Sequence, residues 1–204
     1  MKLTGSILTA MALAAGCGKV SKDNDGSNGV PDVKDLNLVG TWERGCEKID
    51  LLGLQYRKVK LVMGGLKDYT REQTLFGDSG CNDERFVEKQ TGTWAIVGTS
   101  PKDSGAKQIN FTVKDAFVNP RNDSVAKDYN AKKYCDITSW KNGEETKVTN
   151  ANCASGSKQG QVIFDVARVE EKNLFFGKTG FFITGKTSDG RPEVLDRDRP
   201  YTKK

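Results

Sequence analysis

The sequence predicts an all-β protein, an antiparallel up-and-down β-barrel of about eight strands, and three observations carry that reading. First, from Leu36 onward the apolar residues recur with a period of two. Val59, Leu61 and Met63 alternate with Lys58, Lys60 and Val62, and Ile109, Phe111 and Val113 alternate with Gln108, Asn110 and Thr112. Such alternation marks a strand with one buried face. Second, clusters of Gly, Asn, Asp and Pro separate the runs, at Gly64-Gly65, Gly77 to Gly80, Gly98 to Gly105, Asn119-Pro120 and Glu170 to Asn173. Third, no run sustains an apolar stripe at helical spacing. Closing such a sheet removes its edges, and eight strands leave an interior that side chains fill or one small ligand occupies. A β-sandwich of two sheets predicts the same alternation and is the competing architecture.

Residues 1–16 place one cation, Lys2, before an apolar run from Leu3 to Ala15 that is interrupted by Thr4, Gly5, Ser6 and Thr9. The run is too short for a membrane-spanning helix and closes on small residues, so it reads as a secretory signal. Its end, Leu13-Ala14-Ala15-Gly16-Cys17, resembles a bacterial lipoprotein lipobox. The resemblance implies cleavage before Cys17, lipidation of that cysteine and, with Gly18 next, anchoring in the outer membrane. Several acyl chains on one residue hold far better than one. Residues 17–35 are rich in Gly, Ser, Asn, Asp and Lys and read as a flexible tether. Asp23-Asn24-Asp25-Gly26 departs from a calcium loop at its first and last ligand positions, where Ser21 and Asp32 stand.

The remaining residues, 36–204, form the barrel domain. Strands are expected near 37–46, 54–63, 67–76, 85–97, 107–117, 159–169, 173–184 and 199–203. In the sixth, Val162, Phe164 and Val166 are expected to face the core. An insertion at about 120–157 interrupts the series; within it Ser124 to Tyr134 has the composition for one or two helical turns. Five cysteines are present: Cys17 takes the lipid, which leaves Cys46, Cys81, Cys135 and Cys153. An even number in an exported chain points to two disulfides, and three connectivities are open. The sequential pairing, Cys46–Cys81 and Cys135–Cys153, is preferred, because the second bond would close a polar loop that its own sequence cannot hold. A zinc site would need closely spaced thiolates or histidines, and the chain has no C-x-x-C and no His.

Leu38-Val39-Gly40-Thr41-Trp42-Glu43-Arg44-Gly45-Cys46 opens the domain, and a second Gly-Thr-Trp follows at Gly92-Thr93-Trp94. Gly40-Thr41-Trp42 resembles the Gly-x-Trp of the first strand in lipocalins and other calycins. The chain is similar to a group of bacterial secreted lipocalin-like lipoproteins in Gly40 to Cys46, Cys81 to Trp94, and Arg191-Pro192…Leu195-Asp196…Tyr201-Thr202-Lys203. That resemblance implies a structural role for Gly40, Trp42, Gly92 and Trp94. In lipocalins the first-strand tryptophan lies beneath a basic side chain near the last strand, and Arg197 and Arg199 are the candidates here. The C-terminal helix usual in lipocalins is not evident, and the insertion is extra.

Function is bounded more than identified. The net charge is +5 and removal of the leader takes Lys2 alone, leaving +4, with no cluster of cations and aromatics for nucleic acid. Gly180 to Thr187 matches G-x-x-x-x-G-K-[ST], but its loop positions are Phe, Phe, Ile and Thr, and a turn follows where a helix must open. With no His the commonest general base is missing, and no enzyme and no cofactor are expected. If the barrel holds a cavity, Tyr56, Tyr69, Phe111, Phe164, Phe176 and Phe182 would line it. The expected function is a membrane-anchored lipoprotein of the bacterial envelope that binds a small apolar or amphipathic ligand. The alternative is a solid barrel whose surface contacts another envelope protein or a cell-wall polymer.

Overall fold

The computed structural model describes residues 37–51, 54–179 and 185–204. The leader, Cys17, the tether and Phe182 lie outside these residues. The described chain forms β1 (Gly40–Leu51), β2 (Leu54–Met63), β3 (Asp68–Phe76), β4 (Glu84–Thr99), β5 (Lys107–Pro120), the helix α1 (Asp123–Ala131), β6 (Thr146–Lys147), β7 (Val162–Glu170), β8 (Asn173–Phe176) and β9 (Tyr201–Lys203). Each of β1 to β5 pairs antiparallel with the next, then β5 with β7, β7 with β8, β8 with β9, and β9 with β1. The result is a closed barrel of eight strands, with β6 paired to β5 outside the ring.

Closure is completed by few residues: β9 meets β1 at Trp42↔Lys203 and Glu43↔Thr202. Trp42 is fully buried in the core at this end, among Leu61, Met63, Tyr69, Trp94 and Leu174, and its indole N–H donates to Leu38 O at 2.8 Å. The cation over its ring is Lys203, 5.1 Å from the centroid, and not the expected Arg197 or Arg199. Arg197 lies over Phe175 and is held by Glu170, while Arg199 pairs with Asp196. The reason is the pleat: Lys203 stands directly opposite Trp42 in the ladder, within reach of the ring. Trp94 is covered in the same way by Lys67, at 4.6 Å. Gly92 lies at a bulge in β4, where a Cβ would come within 2.0 Å of Thr112 O and 2.8 Å of the Tyr69 ring. Only a residue without a side chain allows that approach.

At the opposite end the insertion supplies the core. Asn122 caps α1, its side chain accepting from Val125 N at 2.9 Å, and Tyr129, Tyr134 and Trp140 stack on one another beside Phe86. With Leu75, Val118 and Val148 they form a second apolar cluster. The insertion also takes over a strand edge. β7 pairs with β5 only at Lys107–Thr112; beyond that, Val148 N donates to Ala116 O and β6 pairs with Phe117 and Val118.

Both sequential disulfides are present, with Cα–Cα distances of 6.0 Å for Cys46–Cys81 and 5.0 Å for Cys135–Cys153. Cys46 sits in a break of the β1–β2 register and is bonded to the β3–β4 turn, so its bridge spans β2. Near Cys135 the backbone takes positive φ at Lys133, Cys135 and Asp136, a conformation that L-residues adopt at a cost.

Two strand expectations are corrected. The strand expected at 173–184 ends as β8 at Phe176, because the Gly177 amide turns to the Asp165 carboxylate at 2.9 Å and Gly177 bridges to Leu195. Residues 194–196 then run beside 176–178, and Leu195 packs with Ala106, Val166 and Phe175. That packing covers the outer face of β7, so the inner face is Ile163, Asp165 and Ala167 and not the expected Val162, Phe164 and Val166.

Replacing Cys135 and Cys153 together by Ser is expected to lower unfolding free energy by about 3 kcal/mol, read from the denaturation midpoint. Gly92→Ala is expected to cost ~1–3 kcal/mol or more by overpacking, measured in the same way.

Candidate functional site

The inner face of β3 reads Tyr69, Arg71, Gln73, Leu75, and this strand shows how the barrel interior is divided. Its ends are apolar and belong to the two cores, while its middle is polar. In β4 likewise Glu88 and Gln90 lie between Phe86 and Trp94, whereas on β2 Arg57 is the polar end of a face that continues with Val59 and Leu61. Beside this polar middle is a cavity of about 250 Å³, partly open to solvent.

One wall of the cavity is aromatic. Tyr69 meets Phe111 edge to face with centroids 5.0 Å apart, Phe111 meets Phe176 at 5.9 Å, and Phe176 meets Tyr201 at 5.5 Å. Leu61 and Ile163 complete it. Such edge contacts fix ring positions beyond what area burial alone would do. The Tyr69 hydroxyl donates to Gln90 Oε1 at 3.0 Å, and burial pushes the phenol's pKa upward.

The other wall carries Arg44, Arg57, Arg71 and Arg199 with Asp165 and Asp196. Glu47 accepts from both Arg44, at 3.2 Å, and Arg57. The Gln73 carbonyl accepts from Arg57 and Arg71, each at 3.2 Å, and its amide donates to Glu88 at 3.1 Å. Glu88 in turn receives Ser155 Oγ, which contacts the Tyr134 hydroxyl, so the network continues into the insertion. The Arg44 guanidinium also lies 4.2 Å from the Tyr201 ring centroid.

Asp165 is the unusual acid of the set. Burial raises its pKa to about 7, against the opposing pull of amide hydrogen bonds from Gly177 and Val166 and of the charges on Arg191 and Arg71. A carboxyl titrating there has the pKa of a general base. Both amides hold its Oδ1, and among the described residues the hydroxyl groups in the lining are those of Tyr69, Thr179 and Tyr201. An aromatic wall facing a charged one has the polarity of a guest with an apolar body and a polar end.

Of the aromatics expected at the lining, Tyr69, Phe111 and Phe176 are there. Phe164 is not: its neighbours Ile163 and Asp165 face the cavity, and its own ring lies against the Arg191 guanidinium at 5.2 Å. Tyr56 likewise alternates with the lining residue Arg57. Phe182 lies outside the described residues. The charged lining was missed because charged residues in a strand are ordinarily assigned to the solvent face. Its signal was present, since Arg71 and Gln73 keep the period of Tyr69 and Leu75.

No family model matches the chain, and no curated protein matches it.

The Asp165 carboxyl leads to a pH prediction. The native state keeps its proton up to about pH 7, whereas the unfolded chain releases it near the ordinary value of 3.8. Between those values the native state binds more protons, so this group's contribution to stability falls as pH rises. Asp165→Asn, whose amide oxygen still accepts from both backbone N–H groups, is expected to gain in melting temperature relative to the unmodified chain from pH 4 to pH 8. An unchanging difference in Tm across that range contradicts it.

Proposed function

We propose that this protein is a lipid-anchored lipoprotein of the bacterial cell envelope whose lipocalin-like barrel binds a small amphipathic molecule. The observation that carries the reading is the interior cavity of about 250 Å³, with rings on one side and hydrogen-bonded charges on the other. Ligand sites combine mostly apolar walls with a few placed polar groups in this way, although this one lies just below the usual range of about 300–1,000 Å³. Anchoring rests on the lipobox-like run before Cys17, and the two disulfides are consistent with an oxidising compartment. The binding step proposed is non-catalytic: Tyr69, Phe111 and Phe176 take the apolar body and the arginine wall takes the polar end.

The alternative of a solid barrel acting through its surface has less support. Its interior is not filled, and the large hydrophobics exposed among the described residues are Leu66, Val97 and Val194, none of them in the Cys135–Cys153 insertion.

Cys17→Ser is expected to move the protein from the membrane to the soluble envelope fraction; retention in the membrane contradicts anchoring through that residue. In the exported Cys17→Ser chain, decanol or decanoate is expected to bind by calorimetry. Ile163→Phe, which fills the cavity, is expected to weaken that binding at least tenfold while the circular dichroism spectrum is unchanged. Equal binding by the filled variant places the ligand elsewhere.

A further inference from the structure

Arg71 lines two neighbouring cavities of the barrel, both partly open to solvent. It lines the aromatic cavity, and with Gln73, Glu88, Gln90, Ser155 and Ser157 it also lines a smaller polar one of about 170 Å³ beneath the insertion. The neighbouring cations have counter-charges or carbonyls of their own. Arg44 and Arg57 share Glu47, Arg199 takes Asp196, and Arg191 donates to the carbonyls of Ile109 and Asp165 and to Asn110. Arg71 makes no ion pair among the described residues. Its bond is to Gln73 Oε1, a neutral oxygen that also accepts from Arg57. A guanidinium offers a planar fork of N–H donors matched to a carboxylate, and one shared amide oxygen leaves most of that fork unused.

Two further features point the same way. Arg44 lines the same cavity, and its Nε is buried without a hydrogen-bond acceptor. Asp165, the acid of the lining whose charge acts on Arg71, is held half protonated near neutral pH by its burial, so it balances that cation only in part. Arg71 is thus the guanidinium of the lining with the least counter-charge, and it stands beside an aromatic wall.

We propose that the guest is a single-chain or aromatic monocarboxylate, with its tail against Tyr69, Phe111 and Phe176 and its carboxylate on Arg71. The inference rests on the barrel being a ligand carrier, and it names the ligand's class and its orientation, head towards the insertion. A volume of about 250 Å³ matches one chain or one ring better than two chains. One unpaired guanidinium matches one negative charge, which selects a carboxylate over a phosphate dianion.

The test compares decanoate, decanol, decyl phosphate and decyltrimethylammonium by calorimetry on the exported Cys17→Ser chain at pH 7. Decanoate is expected to bind ~10–100-fold tighter than decanol, the size of one charge-assisted hydrogen-bonded contact. Arg71→Gln is expected to abolish that preference by weakening decanoate far more than decanol, and Arg71→Lys to restore part of it, since Lys keeps the charge but not the fork. Equal affinity of the unsubstituted cavity for decanoate and decanol overturns the head-group assignment and leaves the carrier reading standing. So does a preference that survives in Arg71→Gln. Tighter binding of decyl phosphate or of the ammonium overturns the choice of carboxylate. Failure of all four probes to bind overturns the carrier reading together with this one. The comparison on the unsubstituted cavity decides the matter even if Arg71→Gln does not fold.

Discussion

Placing three arginines inside a closed barrel is an expensive arrangement, and a single amide makes it tenable. Gln73 is buried, accepts from Arg57 and Arg71 with its carbonyl, and donates to Glu88 with its nitrogen. Charges removed from water must be met by partners with good geometry, or the desolvation cost exceeds the Coulomb gain. Here one side chain with both a donor and an acceptor links the Arg44–Glu47–Arg57 group on β1 and β2 to Glu88 on β4 and Ser155 in the insertion. The polar band between the two apolar cores depends on this connection. So does the cavity, since arginines fixed by hydrogen bonds cannot collapse into it.

The architecture was legible because a barrel repeats one instruction. Alternation in β2 and β5, with Gly- and Asn-rich punctuation, is a local signal that tertiary context rarely reverses. Residues whose environment is decided by distant chain were not legible. Phe164 was assigned inward because Val162, Phe164 and Val166 are the more apolar set, yet residues 185–196 cover that face from outside. With both faces of β7 partly covered, composition no longer distinguishes them. Arg44, Arg57 and Arg71 were hidden for the opposite reason: they occupy inner positions of their strands but have the composition of a solvent face. Of the site, the sequence showed Tyr69, Phe111 and Phe176 and concealed the charges that give the site its chemistry.

The insertion between β5 and β7 is structural before it is anything else. It takes the half of the β5 edge that β7 leaves, fills the barrel end with Tyr129, Tyr134 and Trp140, and delivers Ser155 to Glu88. Its left-handed residues at Lys133, Cys135 and Asp136 are unfavourable alone, and the bond from Cys135 to Cys153 holds that bend in place.

The meeting of Trp42 with Lys203 has a consequence in time. β1 is made well before its second neighbour, β9, which is supplied from the far side of the described barrel sequence. A ring closed by so distant a contact cannot form progressively, and such topologies fold slowly. Until residue 203 arrives, one side of β1 is an open ladder, the kind of edge that recruits other chains. Closure at that pairing brings Lys203 over the indole of Trp42.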